Sequence, residues 1–321
     1  MLPLWIITVV VGYFTIKWFL NRLEVGNIDD KYVFITGCDT GFGNALAKKL
    51  DGLGFHVIAA CLTKDGASEL KKVTSERLTT VVLDVTSTQD VKRVMEEIDE
   101  MIPASKGLWA IVNNAGISGS ILPFDLTAKE DFEKVLSVNL LGLIDVCIKC
   151  VPLLRKGRTK GRVINVSSVA GRFALGGSAY VVSKYAVEGF SDGLRRELRC
   201  QGISVHIIEP GKYKSNIANK ERLTKEIEHA YHRTSPDKRD YCGEEYIKKY
   251  SDSLTNYLCN GNPNLEPVVS AMTHAVMSRF PNRRYLVGLD AKYIFRVLWT
   301  LPVCISDFLF CLIIIPPRGA K

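Results

Sequence analysis

Short apolar runs and segments with helical periodicity alternate along the chain from residue 31 onward. Between the runs lie amphipathic stretches such as GNALAKKLDGLG and TQDVKRVMEEIDEMI, whose apolar residues recur with the period of a helix. Continuous apolar strands that alternate with helices predict a parallel sheet covered on both faces. The expected fold is therefore α/β, a single doubly wound domain with a mainly parallel seven-stranded sheet, which binds ligands at the carboxyl ends of its strands. The seven predicted strands are YVFITG (32–37), HVIAAC (56–61), TTVVLD (79–84), WAIVNN (109–114), RVINVS (162–167), SVHIIE (204–209) and RYLVG (284–288).

The domain organisation follows from the same pattern. No linker or change in composition interrupts residues 28–290, which we interpret as one domain. Residues 212–265 are long, charged and rich in Lys, Glu and Tyr, and are typical of a helical insertion. Insertions over the open edge of a sheet commonly act as lids, although a merely solvated excursion remains an alternative.

The N-terminus, residues 1–20, is predicted to be an uncleaved membrane anchor. It carries a single charge, Lys17, and is long enough as a helix to cross the hydrocarbon core of a bilayer. A cleavable signal peptide is the alternative, but a basic leading region and a small-residue cleavage site are missing. The cations Lys17, Arg22 and Lys31 follow the apolar run and favour a cytosolic domain.

The C-terminal segment, residues 291–321, is apolar but interrupted. Pro302 and Asp307 divide it into pieces that are each too short to span a bilayer. We expect interfacial contact with a membrane, and packing against the domain is the alternative.

Composition excludes several classes of function. The formal net charge is +8, but Lys and Arg are scattered among acidic residues, so nucleic-acid binding is not expected. The nine cysteines have no disulfide-framework spacing, and reduced, mostly buried thiols are the expectation. The single C-x-x-C, Cys147 and Cys150, lacks partners for zinc, so no metal site is predicted.

A glycine-rich turn follows the first predicted strand. Gly37, Gly41 and Gly43 stand between a strand and a helix, where glycine lets the backbone approach a pyrophosphate at a helix N-terminus. Asp39 in this turn should repel a 2′-phosphate, which favours NAD over NADP. Lys64 keeps NADP open, and no acidic residue lies at the end of the second strand to bind a ribose diol.

Polar residues also end the third, fourth and fifth predicted strands. Asp84 ends the third strand and can accept a hydrogen bond from an adenine amino group. The fourth ends in residues 113–116, Asn-Asn-Ala-Gly, and the fifth in Ser167 and Ser168. Because parallel strands end at one edge of a sheet, we expect these side chains to lie close together.

A tyrosine precedes a lysine by four residues twice, as Tyr180–Lys184 and as Tyr13–Lys17. On a helix this spacing places both side chains on one face. Tyrosine titrates near pH 10, and a neighbouring ammonium favours the phenolate and lowers that pKa. One of the two pairs must be accidental, and the spacing alone does not decide which; Tyr180–Lys184 follows the polar strand ends, whereas Tyr13–Lys17 lies in the apolar N-terminal segment.

The ordered motifs TGCDTGFG, LDV, NNAG, VNLLG, INVSSVAG, YVVSK and EPG resemble the short-chain dehydrogenase/reductase family. The longer sequence stretches around these motifs, including SKYAVEGFSDGLRREL and IEPGKYKSN, are similar to the membrane-anchored branch of retinol and 3α(17β)-hydroxysteroid dehydrogenases. The resemblance implies that residues 28–290 form an NAD-binding Rossmann catalytic domain. It implies a catalytic set of Asn139, Ser168, Tyr180 and Lys184, with Ser167 as the second choice of serine. The cofactor-binding residues that it implies are Gly37, Asp39, Thr40, Gly41, Phe42, Gly43, Asp84, Asn113, Ala115, Gly116, Tyr180, Lys184, Pro210, Gly211 and Ser215.

The function implied by the resemblance is NAD-dependent oxidation of a lipophilic alcohol, all-trans-retinol to retinal or a 3α-hydroxysteroid to a 3-ketosteroid. Tyr180 takes the hydroxyl proton while the hydride passes to NAD, and Ser168 hydrogen-bonds the same oxygen. Lys184 reaches the ribose, and Asn139 holds water that connects Lys184 to solvent. The expected location is the endoplasmic reticulum membrane, and the family forms homodimers. The alternatives are an NADP-linked carbonyl reductase and a catalytically idle membrane-bound sensor or scaffold.

Overall fold

The computed structural model describes residues 4–103, 105–157, 160–214, 220–312 and 315–320. Its centre is one seven-stranded sheet in the order β3-β2-β1-β4-β5-β6-β7, and every neighbouring pair is parallel. The strand order reverses between β1 and β4, which creates a crevice at the carboxyl ends of these strands. The strands are β1 (Tyr32–Thr36), β2 (His56–Cys61), β3 (Leu78–Val82), β4 (Leu108–Asn113), β5 (Arg162–Val166), β6 (Ser204–Pro210) and β7 (Arg284–Val287).

The predicted doubly wound α/β fold is confirmed, and the sheet is parallel throughout rather than mainly so. All seven predicted strands form within one or two residues of their expected ends. The largest difference is at β3, which ends at Val82, so that Asp84 lies two residues beyond the strand.

Helices cover the sheet and continue beyond it at both termini. Two π-helical turns, Ser137–Gly142 and Asp290–Phe295, lead into α6 and α12. The α-helices are α1 (Leu4–Leu20), α2 (Gly41–Leu53), α3 (Lys64–Lys71), α4 (Thr88–Met101), α5 (Lys129–Leu136), α6 (Leu143–Lys156), α7 (Ala179–Glu197), α8 (Lys220–Arg233), α9 (Pro236–Cys242), α10 (Glu244–Cys259), α11 (Glu266–Met277), α12 (Arg296–Leu298) and α13 (Val303–Cys311).

The two faces of the sheet carry separate hydrophobic cores. On one face, Leu46 and Leu50 of α2 and Met272 of α11 pack against β1 and its neighbours. On the other face, Ile98 of α4 and Leu154 of α6 pack with residues of α7. The inner strands, such as β2 and β4, are buried on both sides and are mostly apolar, which is the pattern that predicted the fold. The edge strands β3 and β7 are buried less completely.

The charged segment predicted at 212–265 contains three helices, α8, α9 and α10. Ile227 and Ala230 of α8 and Ile247 of α10 pack against Leu122 and Leu126, which lie in the loop after β4. The helical segment is therefore attached to the loops at the carboxyl edge of the sheet. It is followed by α11, which returns to the sheet itself.

By length and composition, one helix in the described residues could cross a membrane, Lys129–Lys156, or two if the pair Asp290–Leu298 and Val303–Cys311, bent by 116°, counts as one span. The first of these is nearly half buried and packs on β4, as a core helix does. The described part of the N-terminal run, α1, is a shorter apolar helix with exposed side chains such as Trp5 and Phe14.

The C-x-x-C cysteines lie inside the protein. Cys147 and Cys150 are both buried on α6, where burial raises the pKa of the Cys147 thiol to about 12. Such thiols are not reactive at neutral pH. Within the described ranges, no group of three or more His, Cys, Asp or Glu side chains has the arrangement of a metal site.

Candidate active site

The turn after β1 requires glycine at several positions. Gly37 and Gly41 have φ values of 71° and 67°, in the left-handed region that favours glycine. A Cβ on Gly37 would lie 2.8 Å from the Cα of Ala115. A Cβ on Gly43 would collide with the Gly37 carbonyl oxygen and lie 2.5 Å from Nδ2 of Asn114. The turn thus brings bare backbone to the first turn of α2, which suits a phosphate-bearing ligand.

Asn114 fastens this turn to the end of β4. Its Nδ2 donates to the carbonyl oxygens of Thr36 and Gly37, each at 3.0 Å. The Thr36 hydroxyl oxygen accepts in return from the backbone N–H groups of Asn114 and Ala115, each at 3.1 Å. The carboxyl ends of β1 and β4 are therefore joined side by side.

Asn113, predicted to bind the cofactor, directs its side chain into the core. Its Nδ2 donates to Oδ1 of Asn165 at 2.8 Å and contacts Sγ of Cys147 at 3.2 Å. Successive residues of a strand face opposite sides of the sheet, and Asn114 takes the side that supports the turn. Asn114, which is not among the predicted cofactor-binding residues, is therefore the asparagine whose side chain supports the glycine turn.

Asp39 supplies an acidic group where the sequence indicated none. One carboxylate oxygen accepts from the backbone N–H of Thr63 at 3.0 Å and from its hydroxyl at 2.7 Å. The other oxygen accepts from the backbone N–H of Leu62 at 2.7 Å. The carboxylate lies directly after β2, so the expectation of no acidic group at the end of the second strand is wrong. The sequence did not reveal this carboxylate at the end of β2, because Asp39 belongs to the turn after β1 and meets β2 only in the folded protein.

The remaining predicted contacts of the adenine side are simpler. Asp84 closes a local turn by accepting from the backbone N–H of Thr86 at 2.9 Å and from its hydroxyl at 2.7 Å. Thr40 occupies the position before α2 with an extended backbone. The ring of Phe42 stacks edge-on against Tyr213 at 5.8 Å between centroids, so it packs rather than facing solvent.

The end of β6 forms another close backbone approach. The N–H of Gly211 donates to the Val287 carbonyl at 2.7 Å, directly after Pro210. A Cβ on Gly211 would collide with the carboxylate of Asp290, which accepts from the N–H of Lys212 at 2.7 Å. Ser215, the last predicted contact, lies outside the described residues.

Tyr180 and Ser168 meet at the carboxyl edge of the sheet. Ser168 follows β5, and its Oγ accepts from the N–H of Ala170 at 3.1 Å to start a short 3-10 helix. Tyr180 lies in the first turn of α7, which Ser178 caps. Burial raises the pKa of the Tyr180 phenol, while its hydrogen bond with Ser168 acts in the opposite direction. Burial therefore outweighs the lowering of the pKa that the sequence predicted.

Lys184 lies one turn further along α7 and is also buried. Its Nζ donates to the Val166 carbonyl at 2.9 Å and lies 5.6 Å from the centre of the Tyr180 ring. Burial lowers the pKa of Lys184 to about 8, and the charge of Glu188 acts against this effect. A buried ammonium with a lowered pKa is typical of a functional site.

The second Tyr-x-x-x-Lys pair shows what the spacing alone provides. Lys17 Nζ lies 5.9 Å from the centre of the Tyr13 ring, almost the distance found in the Tyr180–Lys184 pair. Tyr13 is 59% exposed on α1, however. Helical spacing produces the contact in both pairs, whereas burial and the hydrogen bond to Ser168 distinguish Tyr180.

Asn139 connects the loop after β4 to the helix that carries Tyr180. It lies in the π-helical segment before α6 and is 1% exposed. Its Oδ1 accepts from the N–H of Ile117 at 2.8 Å, and its Nδ2 donates to the Ile117 carbonyl at 2.9 Å and to Oγ of Ser183 at 3.0 Å. A π-bulge frequently marks a functional site, because it turns one side chain out of the helical register.

The two serines after β5 face different neighbours. Ser168 adjoins Tyr180, whereas Oγ of Ser167 points to the Lys184 carbonyl at 3.4 Å, on the inner side of α7. The structure therefore brings together Asn139, Ser168, Tyr180 and Lys184, the set that the resemblance implies. Ser167 lies behind them.

Comparisons with known proteins agree with this geometry. The family model described as short chain dehydrogenase matches residues 31–226. Dehydrogenase/reductase SDR family member 9 of Bos taurus is 47% identical over 289 residues, which cover 90% of this chain and 90% of that protein. Retinol dehydrogenase 16 of Homo sapiens is 44% identical over 302 residues, which cover 94% of each chain.

Solved structures share the fold. A short-chain dehydrogenase from Streptomyces avermitilis has a TM-score of 0.69 at 22% identity, covering 88% of this chain and 97% of that one. A Burkholderia phymatum enzyme in complex with NAD has a TM-score of 0.64 at 21% identity, covering 78% and 87%. A Burkholderia cenocepacia enzyme in complex with NADP has a TM-score of 0.64 at 20% identity, covering 89% and 98%. From the matched motifs, the sheet topology and the extent of identity, the chain belongs to the short chain dehydrogenase family and is an oxidoreductase of its retinol dehydrogenase branch.

Proposed function

We propose that this protein oxidises a lipophilic alcohol, all-trans-retinol or a 3α-hydroxysteroid, with NAD as the electron acceptor. The observation that carries the proposal is the position of the Ser168 hydroxyl beside the Tyr180 phenol, with Lys184 Nζ 5.6 Å from the centre of the tyrosine ring. The pair lies at the same sheet edge as the glycine turn after β1. A hydroxyl and a phenol that can reach one substrate oxygen suit proton removal from an alcohol.

The glycine turn suits a dinucleotide, because Gly37 and Gly43 leave no room for a Cβ where the backbone meets α2. When bound, the nicotinamide group supplies the hydride acceptor. The residues that would hold the dinucleotide are Gly37, Asp39, Thr40, Gly41, Phe42, Gly43, Asp84, the backbone at Asn113, Ala115 and Gly116, Tyr180, Lys184, Pro210, Gly211 and Ser215.

The position of Asp39 favours NAD over NADP. Its carboxylate accepts from two backbone N–H groups and a hydroxyl directly after β2. Turning the carboxylate away would break these three hydrogen bonds. A carboxylate there can accept from a ribose hydroxyl and repels a 2′-phosphate. Lys64, the cation at the start of α3, is the nearest competing influence in the sequence.

The protein's own groups divide the chemistry between them. The Tyr180 phenolate removes the hydroxyl proton of the substrate, and the Ser168 hydroxyl donates to the same oxygen as its charge develops. Burial alone raises the pKa of Tyr180. The Lys184 ammonium acts against this effect, because a nearby positive charge stabilises the phenolate. Asn139 keeps the loop after β4 in place beside this group.

A lipophilic substrate agrees with what surrounds the site. The relatives include retinol dehydrogenases. The helical segment α8–α10 rests on the apolar residues Leu122 and Leu126, and we propose that it acts as a lid. Ala291 and Phe295 of the C-terminal segment pack against Val169 and Phe173, directly after Ser168, so this apolar segment adjoins the site.

We propose that the protein is attached to the endoplasmic reticulum membrane by residues 1–20 and by the apolar side of residues 291–321, with its domain on the cytosolic side. Support comes from the exposed apolar side chains of α1 and α13, including Phe14, Trp18, Val303 and Phe308. Carbonate extraction should leave the protein in the membrane. Protease should digest the domain in sealed microsomes, and protection of the domain would contradict the orientation.

The function is tested by measuring NADH formation from all-trans-retinol and from a 3α-hydroxysteroid in membranes that carry the protein. Turnover should fall at least about 1,000-fold in Tyr180→Phe, because the proton acceptor is removed. Tyr185→Phe, a change at a partly exposed tyrosine on the same helix, should retain activity. No turnover with either alcohol in membranes that hold folded protein would overturn the substrate proposal. A lower Michaelis constant for NADPH than for NADH would favour a reductase.

A further inference from the structure

A cluster of carboxylates lies beyond Lys184, further along α7 from Tyr180. Glu188 follows Lys184 by one helical turn and is 6% exposed, and Glu209 of β6 is 3% exposed. Nη1 of Arg284, from β7, forms ion pairs with both of these carboxylates. Nη2 of the same guanidinium binds Asp192 at 2.9 Å. Two buried carboxylates therefore share one nitrogen of one arginine.

The other charged groups near this cluster lie toward its rim. Arg172 approaches Glu209 at 3.9 Å, and Arg195 pairs with Asp192 at 3.1 Å. The groups that face Glu188 are thus Lys184 and Asp192 on its own helix, Glu209 on β6, Arg284 on β7 and the Ser167 hydroxyl after β5. The inner part of the cluster has two carboxylates and one guanidinium, so it presents negative charge toward Lys184.

Close packing fixes Glu188 relative to the active site. A Cβ on Gly171 would lie 2.8 Å from Oγ of Ser167, 2.8 Å from the Lys184 carbonyl oxygen and 2.9 Å from Cγ of Glu188. These three groups meet at one point beneath the 3-10 helix that begins at Ser168. A change at Glu188 is therefore felt by the helix turn that carries Lys184 and by the loop that carries Ser168.

We propose that Glu188, held by Arg284, is a positioning residue that keeps the buried Lys184 ammonium charged and so maintains activity at alkaline pH. The inference rests on the proposed function. Burial and the Glu209 carboxylate raise the pKa of Glu188 to about 7, against Ser167 and Arg284, so Glu188 carries its full charge above neutral pH. Above neutral pH, burial favours loss of the proton from Lys184, and the charge of Glu188 acts against this loss.

The first test is the pH profile of alcohol oxidation by Glu188→Gln. Near pH 6 we expect less than about a twofold loss of rate, because Glu188 is then largely protonated in the native protein. Near pH 9 we expect a loss of about five- to tenfold, equivalent to a downward shift of the alkaline limb by roughly one pH unit. Glu188→Asp, which keeps the charge, should retain the native alkaline limb. Glu197→Gln, an exposed change on the same helix, should have no effect.

The second test does not depend on turnover. A double-mutant cycle in urea combines Glu188→Gln with Lys184→Met and measures unfolding at pH 8. Glu188→Gln should destabilise the native protein but cost less in the Lys184→Met background, because the charge that it supports is gone. A coupling energy of zero, or an equal fractional loss of rate at every pH, would overturn the proposal. If Glu188→Gln does not fold, Glu209→Gln serves as the second variant, because it removes the carboxylate that raises the pKa of Glu188. Glu188 should then stay charged to lower pH and the native alkaline limb should be retained; a loss of rate confined to alkaline pH would overturn the proposal.

The two tests separate this inference from the proposed function. A protein that oxidises neither alcohol but shows coupling in the cycle would retain the electrostatic link and lose the proposed substrate. A protein that oxidises one of them without coupling or a shifted pH profile would retain the function and lose the role of Glu188.

Discussion

The carboxylate of Asp39 and the backbone N–H of Thr63 are joined by a hydrogen bond of 3.0 Å, although 24 residues separate them in the chain. The bond brings an acidic side chain from the turn after β1 to the carboxyl end of β2. Parallel strands end at one edge, so a loop after one strand can supply a group that the next strand lacks. The charge at this edge is therefore a property of two loops together.

Replacement of Asp39 by Asn should reduce the preference for NAD. The amide keeps the shape, and its one oxygen can still accept from Thr63, although the bond from Leu62 is lost. The change removes the charge that repels a 2′-phosphate. We expect the ratio of kcat/KM for NADP to that for NAD to rise at least about tenfold, which corresponds to about 1.4 kcal/mol. Initial rates with both cofactors measure it. Glu69→Gln on α3 is the control, and an unchanged ratio in Asp39→Asn would show that another group sets the preference.

Loss of the Ser168 hydroxyl should slow the reaction far more than loss of the Ser167 hydroxyl. Ser168 is hydrogen-bonded to Tyr180, and removal of a group that stabilises a developing oxyanion costs about 100- to 1,000-fold in kcat. Ser167 contacts the Lys184 carbonyl instead, so Ser167→Ala should lose less than about tenfold. Steady-state kinetics of the two alanine variants, with thermal unfolding to verify folding, make the comparison. Equal losses of kcat in the two variants would contradict the different roles assigned to Ser167 and Ser168.

Gly43→Ala should destabilise the fold, whereas Gly52→Ala on the same helix should stabilise it. The new methyl group at position 43 would meet the Gly37 carbonyl and the Asn114 amide, both of which are fixed by other bonds. Overpacking of this kind costs about 1–3 kcal/mol. Position 52 has no atom within 4 Å of a Cβ, and alanine in a helix gains about 0.5–1 kcal/mol over glycine. Urea unfolding measures both, and a stable Gly43→Ala would contradict the close approach at this turn.

His206 should make the protein sensitive to acid. Burial lowers the pKa of His206 to about 4, and its ring contacts the Asn282 carbonyl at 2.7 Å and the Ser204 hydroxyl at 2.8 Å. The unfolded chain binds a proton near pH 6.5, so it gains protons before the native protein does as the pH falls. Stability is fully present above about pH 6.5 and is lost toward pH 4. The loss between pH 7 and pH 5 should be about 2 kcal/mol.

His206→Gln provides the comparison for that prediction. The variant has no titrating ring, so its free energy of unfolding should fall less between pH 7 and pH 5 than that of the native protein, whatever its stability at pH 7. Urea titrations at the two pH values give the difference. The same fall in both proteins would assign the acid sensitivity to other groups.

The strand predictions succeeded because the inner strands are buried on both faces and are therefore mostly apolar, as in HVIAAC at β2. The Tyr180–Lys184 contact was also predictable, since helical spacing alone brings the two side chains together. Residues at strand ends were less predictable. Asn113 and Asn114 are adjacent and chemically identical, and only the direction of the strand at its end decides which side chain enters the core and which supports the turn.

The sequence by itself determined the parallel doubly wound sheet, the glycine turn and the contact between Tyr180 and Lys184, because these depend on local periodicity and on residues a few positions apart. Asn139 and Ser168 were assigned to the site by the resemblance to the family. Only the tertiary structure decided the neighbours of each group. It placed Asp39 against Thr63 and enclosed Tyr180 strongly enough that burial raises its pKa. It also set Glu188 against Arg284, 96 residues further along the chain. Charge and burial act through space, and the distances that set them arise only when the strands and helices pack together.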